Sequence, residues 1–280
     1  MKKGVNAWCF PSYLGAADLF KRAKELGFSG IELNLSDKSD SILHLGSNEE
    51  EINQIAMLAK QNDLELVGIS TDLLWKYPLT DNSEEIRNKG IQIVEKMIEI
   101  AGILGASTVL VVPGIVTSTV SYDTAYSRAL AAIKTLSKKA EEYDVQIAIE
   151  NVWNKFLLSP LEMAGFIDQV NSRWVGAYLD IGNVIQFGYP EQWIRILSNR
   201  IFMIHVKDFK ESVGNIHGFV PLLSGDISWE QVKKALKEIN YRGYIIPEIP
   251  PHDYHPDWLL KLISEAMDII FDFNRDGSGG

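Results

Sequence analysis

The chain has 280 residues, 46% of them apolar and 23% charged, with 37 acidic against 27 basic side chains and a formal charge of −10. That make-up belongs to a globular protein with ample core for one large or two smaller domains, and it excludes the disordered and fibrous classes. The negative balance weighs against nucleic acid as a partner, because Lys21, Lys24, Lys233, Lys234 and Lys237 fall in amphipathic patterns where they form a solvated face.

Short β-rich runs alternate with helical patterns almost without a break, as expected for parallel strands joined by crossover helices. The predicted strands are 5–9, 30–35, 65–71, 108–113, 146–152, 175–181, 201–206 and 243–249. Helical patterns follow them at 15–26, 49–61, 83–104, 121–143, 160–170, 190–198, 229–239 and 256–273. Ser83 before Glu84, and Ser159 before Pro160, mark helix starts, while Gly27 and Gly105 mark ends. Ser228 with Gln231 reads as a capping box.

Strand-plus-helix units of roughly 34 residues fit a single α/β domain, a (β/α)8 barrel over residues 1–273. Residues 274–280 are polar and glycine-rich, and are expected to form a flexible tail. An open doubly wound sheet would place a Gly-rich nucleotide turn after its first strand, where this chain has Phe-Pro-Ser-Tyr-Leu-Gly at 10–15. The apolar stretch near Lys2 and Lys3 is too short for a signal peptide, and no run reaches the length of a membrane helix. Cys9 is the only cysteine, so no internal disulfide forms, and a reducing, cytoplasmic location is expected.

Four residues able to bind metal stand at the downstream ends of four of these strands: Glu150, Asp180, His205 and Glu248. Buried carboxylates at such places are costly unless they bind something, and one shared divalent cation would remove the cost for all of them. A closed barrel would bring all four to one mouth. Three carboxylates and one imidazole make a hard, mostly oxygen site, suited to Mn²⁺ or Mg²⁺ and tolerant of Co²⁺ or Zn²⁺.

Several motifs then converge: Ile-Glu-Asn at 149–151, Leu-Asp-Ile-Gly-Asn at 179–183, His-Val-Lys-Asp at 205–208, Gly-Asp-Ile-Ser-Trp at 225–229 and Pro-Glu-Ile at 247–249. With Gly-Phe-Ser-Gly-Ile-Glu-Leu at 27–33, they resemble the xylose isomerase-like TIM barrels, specifically the sugar-phosphate isomerase/epimerase group. The resemblance implies that Glu150, Asp180, His205 and Glu248 are the metal ligands. As in the ketose 3-epimerases, it implies that Glu150 and Glu248 also exchange the substrate proton from opposite faces.

The expected activity is therefore a divalent-metal-dependent isomerase or epimerase of a ketose, keto-acid or sugar phosphate. It would abstract a proton alpha to a carbonyl and pass through a metal-stabilised enediolate. The alternative is a lyase on the same site, an inosose-type dehydratase or an enzyme eliminating from a 3-keto-sugar. A tri-zinc DNA nuclease of the same superfamily would need further histidine ligands, whereas His44, His217, His252 and His255 fall in predicted loops. Members often associate, so a homo-oligomer is compatible with the resemblance.

The chain departs from free-ketose epimerases at Asn183, where they carry histidine, and at Lys207 and Lys210, where they carry arginine nearby. Asn183 is a candidate to hydrogen-bond a substrate hydroxyl, or else to stabilise a turn. Lys207 is a candidate to bind an oxyanion, with an ion pair to Asp208 as the competing reading. Trp153, Asn154 and Lys155 follow Glu150 and are expected over the mouth, where Trp8, Phe10, Trp75 and Phe187 would add an aromatic wall.

Overall fold

Among the described residues eight parallel strands form a closed ring, the last pairing with the first, and a two-residue strand at Leu43–His44 pairs beside the second. In chain order the eight are β1 (Lys2–Asn6), β2 (Gly30–Ser36), β3 (Glu65–Ser70), β4 (Thr108–Val111), β5 (Gln146–Glu150), β6 (Val175–Asp180), β7 (Ile201–Val206) and β8 (Tyr244–Pro247). Closure is explicit in the register: Lys2 of β1 pairs with Tyr244 of β8, and Gly4 of β1 with Gly30 of β2. The computed structural model describes residues 1–273, so the tail expected at 274–280 lies outside the described residues.

The helices that return the chain are α1 (Ala16–Glu25), α2 (Glu49–Gln61), α3 (Glu84–Leu104), α4 (Tyr122–Glu142), α5 (Pro160–Val170), α6 (Pro190–Leu197), α7 (Trp229–Glu238) and α8 (Pro256–Phe271). This is the single-domain (β/α)8 architecture expected from the alternation of patterns. Most predicted bounds hold to within one or two residues. Among the described residues no helix is long and apolar enough to cross a membrane.

Two expectations need correction. The first strand ends at Asn6, not at residue 9: the Asn6 side chain accepts a hydrogen bond from Trp8 N at 2.7 Å and starts a 3-10 turn over Ala7–Cys9. Ser228 makes no side-chain cap at α7, and the capping box lies at α2 instead, between Asn48 and Glu51. The start of α7 is held from another direction, by Trp229 Nε1 donating to Asp208 Oδ2 at 3.0 Å.

The core has two layers that follow from strand alternation. Ile31, Leu33 and Leu35 of β2 are buried with the rest of the hydrophobic core. Glu32 and Asn34 point the other way, into the barrel, where they meet Asn6 of β1 and Ser70 of β3. Lower down, the Tyr244 ring fills the barrel floor, and a Cβ on Gly30 would stand 2.6 Å from it. The barrel interior is thus aromatic at the bottom and polar at the C-terminal end of the strands.

Candidate active site

Each expected ligand sits at the C-terminal end of its strand, where this fold places its chemistry. Glu150 and Asp180 are the last residues of β5 and β6, His205 is next to last in β7, and Glu248 directly follows β8. Strand register levels them, since Asp180 pairs with His205, and His205 with Ile246 two residues before Glu248. One donor atom from each of the four falls within 4.8 Å of all the others. Donors bound at roughly 2.0–2.3 Å to one ion stand up to about 4.5 Å apart, so a small contraction closes the set.

The polar accounting supports that fit. His205 Nδ1 is buried without a hydrogen-bond partner, facing Glu150 Oε1 at 3.6 Å and Glu248 Oε2 at 3.7 Å. Asp180 Oδ2 is also buried and receives no well-aligned hydrogen bond, though the Lys207 ammonium stands 2.7 Å away. An acceptor-rich cluster with such orphaned atoms suits a hard divalent cation.

Lys207 corrects one expectation. It pairs with Asp180 and Glu248, each at 2.7 Å, and not with Asp208. Asp208 is buried and occupied, accepting from Phe209 N at 2.9 Å and Ile227 N at 3.3 Å as well as from Trp229. Gly182 makes room for the lysine: a Cβ there would lie 2.7 Å from Lys207 O and collide with its side chain.

Below the ligands stands Glu32, a fully buried carboxylate to which the sequence reading gave no role. Its Oε2 meets His205 Nε2 at 2.7 Å and accepts from Asn6 Nδ2 at 2.5 Å. A carboxylate only accepts, so Nε2 carries the proton and Nδ1 is the nitrogen turned to the ligand cluster. The Tyr178 ring packs on the imidazole, with centroids 4.3 Å apart, and completes its seat. The available signal was a glutamate inside an otherwise apolar strand, Gly-Ile-Glu-Leu at 30–33, where an unpaired charge is not tolerated.

The two glutamates are driven in opposite directions. Burial pushes the Glu150 carboxyl up to about 7, and the neighbouring Glu248 charge adds to it. Burial also works against Glu248, but the Lys207 and His205 charges outweigh it and hold that carboxyl below its ordinary value. For His205, burial opposes a charge on the ring, yet Glu32 and Glu248 overcome it and raise its pKa well above the ordinary value.

His205 Nδ1 can ligate only through a free lone pair, so a cation held by this cluster would displace a proton from the ring, and its affinity would rise with pH. From pH 6 to pH 8, Mn²⁺ affinity is expected to climb by about tenfold per unit for the one ring proton displaced. Calorimetry in buffers of different ionisation heats should register the released protons. An affinity independent of pH would contradict the assignment.

The cavity above the cluster encloses about 1130 Å³ and is lined by Glu150, Glu248, Lys207, Asn183, Trp8, Trp75 and Trp153, among others. Asn183 donates from Nδ2 to Asn151 O at 2.9 Å and its carbonyl accepts from Trp153 Nε1 at 3.0 Å, so it fixes the turns after β5 and β6 while facing the cavity. Trp153 packs against Phe187, Phe209 and Phe219. Asn154 turns away: it is buried, donates to Gly114 O at 2.7 Å and accepts from Phe156 N, bracing its own loop. Lys155 is exposed and lines a separate, smaller cavity with Phe156 and Trp193. Phe10 is buried and does not line the mouth.

Residues 20–271 match the profile of the Xylose isomerase-like TIM barrel family. The chain belongs to that family. Within it, the chain is 24% identical to the L-ribulose-5-phosphate 3-epimerase UlaE of Salmonella heidelberg, over 80% of this chain and 78% of that one. Among solved structures, an L-ribulose 3-epimerase superposes with a TM-score of 0.81 at 16% identity, covering 99% of this chain and 96% of the other. The probable 3-DHS dehydratase AsbF of Bacillus anthracis superposes with a TM-score of 0.76 at 16% identity, covering 95% and 98%. The barrel fold is thus shared with one protein named as an epimerase and another named as a probable dehydratase.

Proposed function

We propose that this family member is a divalent-cation-dependent epimerase or isomerase of a ketose-type sugar. Glu150, Asp180, His205 and Glu248 would hold the cation, with Mn²⁺ or Mg²⁺ best matched to one imidazole and three carboxylates. The observation that carries the reading is the clustering of two glutamates of opposite protonation tendency with a histidine and an aspartate, all within 4.8 Å. Similarity to the ribulose-phosphate epimerase UlaE supports the reaction class.

When bound, the cation would supply positive charge to neutralise the substrate oxygens as they become negative. The residues divide the remaining work. Glu248, kept ionised by Lys207, takes the proton alpha to the carbonyl, and Glu150 returns one to the opposite face. The roles exchange in the reverse direction. Lys207, within 2.7 Å of both Asp180 and Glu248, stands at the reacting end and donates to a substrate oxygen as charge develops there. Asn183 and Trp153 hold the substrate against the β5 and β6 turns, and Trp8 and Trp75 exclude water from the other side. The free, buried Cys9 thiol is consistent with action in the reducing cytoplasm.

A lyase reading keeps the first proton abstraction and adds departure of a group β to the carbonyl, which needs its own acid. The likeness to AsbF is one of fold, and it keeps this reading second. Incubation of the Mn²⁺-loaded protein with ketoses in deuterated water, followed by NMR, decides between them. Epimerisation yields one deuterium at the exchanging carbon and otherwise conserved mass; elimination yields a dehydrated product. A complete lack of exchange across free and phosphorylated ketoses would overturn the proposal.

A further inference from the structure

The cavity is larger than a pentulose phosphate needs, and its charge is distributed against one. Its volume of about 1130 Å³ exceeds the range of about 300–1,000 Å³ that takes a drug-sized molecule. The candidate ligands and Lys207 all stand on or just beyond β5 to β8. The remaining arc, over β1 to β4, is lined by Trp8, Thr71, Asp72, Trp75, Leu110 and Val112.

That arc is apolar and carries a carboxylate. Trp8 lies in the turn after β1 and Trp75 in the Leu73–Lys76 turn after β3, so the two flank the end of β2, the strand between them in the sheet. They are 37% and 46% exposed, in contrast to the fully buried aromatic residues of the core. Two indoles beside one carboxylate suit the C–H and O–H surfaces of a sugar ring, or an aryl group; the Thr71 hydroxyl is already committed, donating to Leu35 O and accepting from Leu73 N.

A phosphate would fit the same arc poorly. Among the described residues lining it there is no lysine, arginine or histidine, and Asp72 would repel the anion. Lys207 does not substitute, because its ammonium is held at 2.7 Å by Asp180 and by Glu248, at the reacting end. His217 also lines the cavity, but from the 3-10 turn after β7 and so outside that arc.

We propose that Trp8 and Trp75 form a second subsite, and that the substrate is an uncharged glycoside whose second ring or apolar aglycone lies there while its keto-sugar unit meets the ligand cluster. Which end reacts rests on the function proposed above; the existence of the subsite does not.

The test compares binding of phenyl β-D-glucopyranoside, methyl β-D-glucopyranoside, D-ribulose and D-ribulose 5-phosphate to the Mn²⁺-loaded protein, by tryptophan fluorescence and saturation-transfer NMR. The phenyl glucoside should bind about tenfold more tightly than the methyl glucoside, and Trp75→Ala or Trp8→Ala should remove about fivefold or more of that difference. Trp75→Phe should restore most of it, since a ring face is what the subsite provides. D-ribulose 5-phosphate should bind no more tightly than D-ribulose. The subsite is overturned if the alanine variants weaken both glucosides equally, or if the phosphate ester is the tightest of the four. Failure of the catalytic reading would show separately, as absent deuterium exchange with every ketose, and would leave this binding comparison intact.

Discussion

Glu150→Gln and Glu248→Gln are each expected to slow exchange of the substrate α-proton with solvent by about 10²–10⁴-fold, the range contributed by a positioned acid or base. Glutamine keeps a carbonyl oxygen for the cation but cannot carry the proton, so cation content should change little in either variant. His205→Ala, by contrast, removes a donor outright and should lower cation occupancy as well as turnover. Deuterium incorporation by NMR, with metal analysis of the same samples, separates the two effects. The environments make the glutamates unequal: Glu248 is held ionised by Lys207, while burial raises Glu150 to about 7. Substrates of opposite configuration at the exchanging carbon should therefore respond differently to the two variants. Full exchange in both glutamine variants would rule out the glutamate pair as the acid and base.

Much of this site was legible from the chain itself. Each candidate ligand ends an apolar strand, and parallel strands in a closed barrel leave those ends at one mouth, so Glu150, Asp180, His205 and Glu248 could be grouped before any coordinates. The missing parts depend on which face a side chain takes and on contacts distant in sequence. Lys207 and Asp208 are adjacent in sequence, but successive residues beyond β7 diverge, one to the ligand cluster and the other to Trp229. Asn154 sits in the right loop, yet its amide is spent on Gly114 O, forty residues away. The early end of β1 arises from the Asn6 side chain turning back onto Trp8 N, a local competition with strand pairing that apolar pattern does not report.

Glu32 is the residue whose importance emerges only in three dimensions, and its removal should weaken cation binding by about 10–100-fold, as loss of a histidine's partner does in other metal sites. One oxygen, Oε2, meets both His205 Nε2 and Asn6 Nδ2. Glu32→Ala leaves His205 Nε2 buried and unpaired, costing about 1–3 kcal/mol, leaves Asn6 Nδ2 only its 3.3 Å bond to Ser70 Oγ, and frees the imidazole to turn or to change tautomer. Glu32→Gln can still place a carbonyl oxygen at the shared position, so it keeps the geometry and loses the charge. Its affinity loss should fall at the lower end of the range, with stability near that of the parent. Mn²⁺ calorimetry at pH 7.5, paired with urea melts of the cation-free variants, measures the two quantities independently. Glu65→Ala is the matching control: that carboxylate accepts from Tyr244 Oη at 2.7 Å at the other end of the barrel, so its loss should lower stability while leaving cation affinity unchanged. If Glu32→Ala folds and binds Mn²⁺ as tightly as the parent, His205 is oriented by the Tyr178 ring and its strand alone, and the carboxylate beneath it serves only packing.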